Sequence, residues 1–174
     1  MFTVPLNGDH ARGRVATVDD ADAELVRPYS WHVLERRRRD GSARLYAAAY
    51  IGGGRANSQH VLLHRLLMPG IPEIDHWDGD GLNCQRWNLR PATRSQNNAN
   101  ARKRSHVGAQ PPTSCWKGVS WRGDRGKWRA YLVVGGRQQS LGQFTSEIDA
   151  ARAYDAAARE AFGAFARLNF PDVR

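Results

Sequence analysis

Residues 73–100 read EIDHWDGDGLNCQRWNLRPATRSQNNAN. Two short strand-like pieces, one carrying Asp75–His76 and one spanning Asn88–Ala92, flank a glycine-containing loop at Asp78–Gly81. A polar helix follows, beginning near Thr93 and carrying Asn97, Asn98 and Asn100. Strand, loop, strand, helix is the plan this stretch dictates. Its chemistry is concentrated: an imidazole, a carboxylate and several amide oxygens lie within 30 residues.

Phosphodiester hydrolysis needs donors of this kind. A neutral histidine takes a proton from water, a contribution typically worth about 10²–10⁴-fold in rate. A hard divalent cation held by carboxylate and amide oxygens supplies counter-charge for the phosphate and the leaving alkoxide. One geometric objection arises at once. Neighbouring residues of a regular strand point to opposite faces, so Asp75 and His76 converge only if the strand ends or bends at the loop that follows them. Two metal alternatives fit less well. A calcium loop read from His76 would place Trp87 at its twelfth position, where an acid is needed. No CxxC or HExxH pattern occurs, which argues against zinc.

Around this stretch the chain is 174 residues long and carries 26 basic against 17 acidic residues, a formal charge of +9. Lys103, Lys117 and Lys127 are the only lysines, which leaves 23 arginines. A surplus of that size calls for a polyanionic partner, and arginine's planar fork suits phosphate and guanine edges. No apolar run approaches the roughly 20 residues of a membrane-spanning helix. The opening MFTVPLNGDHARG lacks a secretory apolar core. Two cysteines, Cys84 and Cys115, build neither a disulfide framework nor a four-cysteine zinc site. The expectation is an intracellular protein with no membrane partner and no small-molecule cofactor.

Organisation follows from periodicity and punctuation. Residues 105–114, SHVGAQPPTS, read as a linker between a front part, 1–104, and a back part, 115–174. The front part is rich in strands: Val15–Asp19, Trp31–Arg37 and Leu45–Ile51, with turns at Asp40–Gly41 and Gly52–Gly54. Ala21–Arg27 reads as a short helix, and Val61–Met68 as a short helix or strand. The back part reads as three strands, Trp116–Arg122, Lys127–Val134 and Arg137–Phe144, joined by turns at Gly123–Gly126 and Gly135–Gly136. A helix, Glu147–Phe162, capped by Ser146 and stopped at Gly163, follows them. The fold class is α+β, ending in a three-stranded antiparallel sheet packed on one alanine-rich helix. Trp116, Trp121, Trp128 and Tyr131 interleave there with six basic residues, a pattern suited to nucleic acid.

Two resemblances sharpen this reading. LHR at 63–65, DHWDGDGLNCQRWNL at 75–89 and SQNNAN at 95–100 resemble the phage-borne, homing-type HNH endonucleases, with a ββα-metal core over about 60–104. The resemblance implies that His76 is the general base and that Asp75 and Asn97 hold one Mg²⁺ or Mn²⁺ ion. Asn88 would brace the loop, with Asn98 and Asn100 close enough to compete as ligands. Arg94, Arg102 and Lys103 would lie along the DNA. KGVSW at 117–121, GKWRA at 126–130, LGQF at 141–144, AARAYDAAA at 150–158 and LNFP at 168–171 resemble the APETALA-type DNA-binding domain of ethylene-response factors. By that likeness the sheet enters the major groove, with Lys117, Arg122, Lys127, Arg129 and Arg137 facing DNA and Trp121 beside them. Ser120, Gln138 and Ser140 depart from the plant pattern, so the plant target sequence does not transfer. The joint expectation is a monomeric, cytoplasmic, metal-dependent endonuclease that nicks double-stranded DNA. A non-catalytic DNA-binding regulator with a relic HNH fold is the alternative.

Overall fold

The structure, a computed structural model, describes residues 1–8, 10–37, 42–52, 59–103 and 112–171. Most of the expected linker, together with Arg104 and the turns expected at Asp40–Gly41 and Gly53–Gly54, falls outside these residues. The chain forms two units that divide between Ala92 and Thr93. The sequence reading draws that border after residue 104; the structure places the 94–100 helix in the second unit.

The first unit is built from small antiparallel sheets. Strands β1 (Phe2–Pro5) and β2 (Val15–Val18) pair, as do β3 (His32–Arg37), β4 (Ala43–Ile51) and β5 (Gln59–Leu62) in the order β3-β4-β5. A short helix α1 (Ala23–Val26) precedes β3, and α2 (Leu63–Leu67) follows β5 directly. The expected helix or strand over 61–68 is thus strand first, then helix. Strand β1 is not anticipated, because its proline and short length mask the alternation. Its inner residues, Val4 with Ala16 and Val18 of β2, join Trp31, Val33, Ala47, Leu63 and Leu67 in one core. Trp31, 2% exposed, satisfies its indole by donating to the Val26 carbonyl at 2.8 Å.

Two strands complete this unit, β6 (Ile74–His76) and β7 (Leu89–Pro91), paired Ile74↔Pro91, Asp75↔Arg90 and His76↔Leu89. The loop between them is anchored on the front segment. Thr17 donates its N–H to the Leu82 carbonyl and accepts from Cys84 N–H, at 3.0 and 2.8 Å. Arg86 bonds both oxygens of the buried Asp22 at 2.9 and 2.6 Å. Gly81 lies so close to Leu45 and Tyr46 that a Cβ would strike the Leu45 carbonyl and the Tyr46 ring. The loop is pressed onto β4 for lack of a side chain there.

In the second unit, helix α3 (Arg94–Asn100) starts at a full capping box: Thr93 Oγ1 accepts from Gln96 N–H and Gln96 accepts from Thr93 N–H. Strands β8 (Val119–Arg122), β9 (Lys127–Val134) and β10 (Arg137–Phe144) form an antiparallel sheet in the order β10-β9-β8. Helix α4 (Glu147–Phe162) packs on β9 and β10. Its Ala150, Ala151 and Ala158 are 0% exposed, so the small side chains let the helix lie close to the sheet. Tyr154 and Phe162 fill the remaining space with Leu132. Ser146 caps the helix by accepting from Asp149 N–H at 3.2 Å, and Gly163 closes it with a positive φ of 51°. Among the described residues no helix is long and apolar enough to cross a membrane.

Candidate functional site

The β6–β7 hairpin is held by Asn88, which is fully buried. Its side-chain amide donates to Asp78 Oδ1 at 3.0 Å and to the Asn83 carbonyl at 2.7 Å. Its Oδ1 accepts from Asp78 N–H at 3.0 Å. Asp78 in turn accepts from Asp80 N–H and from the Asn83 amide, both at 2.8 Å. A buried amide with three such bonds is hard to replace, because each orphaned partner costs about 1–3 kcal/mol.

Pairing between β6 and β7 continues through His76, so Asp75 and His76 leave the strand on opposite faces. The strand ends at His76, one of the two conditions the sequence reading sets for the pair to converge. Asp75, 3% exposed, meets its cross-strand neighbour: Arg90 Nε and Nη2 both donate to Asp75 Oδ2, at 2.9 and 2.7 Å. His76, 7% exposed, turns to an aromatic and sulfur environment. Its ring lies 5.0 Å from that of His64 in an edge-on contact and 6.0 Å from that of Tyr46. Its Nε2 is 4.0 Å from Cys84 Sγ.

Burial sets the protonation of these groups. Desolvation lowers the His76 pKa, opposed by the carboxylates Asp78, Asp75 and Asp80. Desolvation also takes His64 down to about 3, helped by His76 and the nearby arginines. The same burial pushes the Cys84 thiol up to about 12. At neutral pH both imidazoles therefore carry lone pairs and the cysteine keeps its proton. His76 is in the form a general base requires.

Asn97 stands half-buried on α3 of the second unit, beside exposed Asn98 and buried Asn100. The other expected cations of the second unit divide into three groups. Arg94 and Arg102 are exposed. Lys103 donates to the carbonyls of Trp116 (2.5 Å) and Val119 (2.9 Å). Lys117 donates to the carbonyls of Ala99 and Ala101 at the end of α3 and to that of Asn98 at 3.5 Å. Both lysines thus serve as internal clasps. Burial draws the Lys117 pKa down to about 8.

Register sorts the remainder. Ser120↔Arg129 and Arg122↔Lys127 are cross-strand pairs, placing Arg122, Lys127, Arg129 and Tyr131 on one face of the sheet. Val119 and Ala130, on the other face, are covered together with helix residues Ala150 and Ala151. The Arg129 guanidinium lies over the Tyr131 ring at 5.5 Å. Arg122 shares both oxygens of Asp124. Trp121 pairs with Trp128 on the helix side of the sheet, rings edge-on at 4.9 Å, and Arg137 opposes Val134 on that same side. Of the cations expected to face DNA, Arg122, Lys127 and Arg129 share one face of the sheet.

His64, Tyr46 and Arg90 were not assigned roles from the sequence. The available signals were LHR at 63–65, already within the resemblance, and the basic residue directly after Asn88–Leu89. No family model matches the chain.

Proposed function

We propose that the chain is an HNH-type, metal-dependent DNA endonuclease, acting in the cytoplasm as a monomer, whose second unit holds double-stranded DNA by a sheet face. The supporting observation is the hairpin: a buried, neutral His76 at the end of a strand whose following loop is locked by Asn88. In this reading His76 takes the proton from the attacking water. The basic surplus draws the phosphate backbone in, and one strand is nicked to leave a 5′-phosphate and a 3′-hydroxyl. Asp75 is a hard oxygen donor and so fits Mg²⁺ or Mn²⁺ in kind. Asn97 enters as second ligand on its sequence position alone. The ion, when bound, would supply counter-charge at the phosphate. Arg122, Lys127 and Arg129 are the contacts we assign to the sheet face, with Arg94 and Arg102 as further cations.

One observation favours the second reading, a non-catalytic DNA-binding regulator. Arg90 already neutralises Asp75 within the first unit, as it would in a relic site kept for stability. Supercoiled plasmid with Mg²⁺ or Mn²⁺ separates the two. Nicking by the native chain, abolished by EDTA and reduced about 10²–10⁴-fold in His76→Ala, is the expected result. DNA binding with no nicking by either protein selects the regulator.

A further inference from the structure

The side chains gathered behind the hairpin are donors of one chemical kind. His64 comes from α2, His76 from the end of β6 and Cys84 from the loop, and one ligand atom of each lies within 4.8 Å of the others. All three residues are buried, at 6%, 7% and 0% exposure. His64 Nδ1 is buried without a hydrogen-bond partner. Native interiors satisfy nearly every such atom, so an orphaned imidazole nitrogen beside a second imidazole and a sulfur points to an absent partner.

We propose that His64, His76 and Cys84 form a binding site for a divalent cation of the zinc and cobalt class, with a fourth position left to water. Two imidazoles and one thiolate select borderline-soft ions and offer Mg²⁺ no hard oxygen. Tetrahedral zinc with N and S ligands spans edges of about 3.3–3.8 Å. The widest donor pair must therefore close by about 1 Å, and His76 Nε2 to Cys84 Sγ, at 4.0 Å, by far less. Three dative bonds form, and the thiol proton leaves to solvent. The site escapes motif inspection because its ligands are set by fold rather than by short spacing. Metal on His76 occupies the lone pair that a base would use, so zinc-class ions switch hydrolysis off. That consequence rests on the nuclease reading, whereas the site itself does not.

The test is a Co²⁺ titration of the reduced, EDTA-treated full chain. One ion per chain is expected, with a sulfur-to-cobalt charge-transfer band and the intense visible bands of tetrahedral cobalt. Zn²⁺ displaces this spectrum and excess Mg²⁺ leaves it unchanged. Cys84→Ser removes the charge-transfer band, His64→Ala weakens binding by about tenfold or more, and Cys115→Ser changes nothing. Absence of the band in the native chain, or a band that follows Cys115, overturns the proposal. Should Cys84→Ser fail to fold, alkylation of the native chain decides: Zn²⁺ must slow modification of Cys84, and an equal rate with and without zinc overturns the site. Plasmid nicking is read separately. A cobalt spectrum without nicking under any condition keeps the site and removes the nuclease; Mg²⁺-supported nicking without the spectrum does the reverse.

Discussion

The β6–β7 hairpin and the β8–β10 sheet handle polar side chains in opposite ways. Around the hairpin, Asp22, His64, Asp75, His76 and Asn88 are all under 9% exposed, each within a network of charge, amide or ring contacts. In the sheet unit the interior is alanine, leucine and aromatic, and the cations Arg122, Lys127 and Arg129 stand on a face turned away from the helix. Asn100, Ser114 and Asp155 are buried polar exceptions; Asp155 has a local task, accepting from Asn169 and Phe170 N–H at 2.8 and 2.7 Å to hold the closing segment. Interior polar groups tie chemistry to stability, since removing one strands its partners. Exterior ones can be altered with binding alone at stake. The two regions should therefore respond differently to substitution.

The largest expected effect breaks the sheet unit from inside. Gly118 holds φ at +73°, and a Cβ there would run into the Tyr154 ring and the Tyr131 carbonyl. Gly118→Ala should destabilise the second unit by about 3 kcal/mol or more, adding backbone strain to overpacking. Hydrogen exchange should rise across 119–144 and leave 74–91 unchanged. Asn88→Ala is the counterpart in the hairpin. It strands Asp78 N–H and the Asn83 carbonyl and takes one of two donors from Asp78 Oδ1, at a cost of about 2–3 kcal/mol. Exchange should now rise across 74–91 only. Equal loosening of both segments by either variant would erase the distinction between the regions.

Legibility differed between the regions for the same reason. Strands β9 and β10 and helix α4 match their expected bounds because their signals are local: the Gly135–Gly136 turn, the Ser146 cap, the Gly163 stop. The bracing position of Asn88 also lay within one short loop. What stayed hidden was decided by distant partners. Nothing near Lys117 announces that its ammonium will clasp the end of α3, 16–19 residues earlier. His64, His76 and Cys84 meet through three different elements. Asp75 meets Arg90, and His76 meets His64 and Cys84, through partners that the loop sequence does not specify.

Lys117 sharpens the comparison by pH. Its pKa falls from 10.5 to about 8 on folding because burial penalises the ammonium. Between those values the unfolded chain holds a proton that the folded chain has released. Stability should therefore rise as pH climbs through this window, and the contribution is on the order of 3 kcal/mol. Lys117→Met lacks the rise, so urea midpoints of the two proteins should separate further at pH 10.5 than at pH 7.5. A constant difference would return Lys117 to the surface set.

Arg129 gives the smallest effect and the most selective one. It lies on the outer face over Tyr131 and opposes Ser120 and Gln143 in the register, so its loss strands nothing in the interior. Arg129→Ala should leave the urea midpoint within about 0.5 kcal/mol of the native chain. If it neutralises one phosphate, the log–log salt slope of DNA binding becomes shallower by about 0.9. Lys117→Met should do the reverse, changing stability while the slope stays fixed. The two variants together decide which cations are exterior, because position in the sheet, and not charge, separates them. An unchanged slope in Arg129→Ala would move DNA binding off the β8–β10 face.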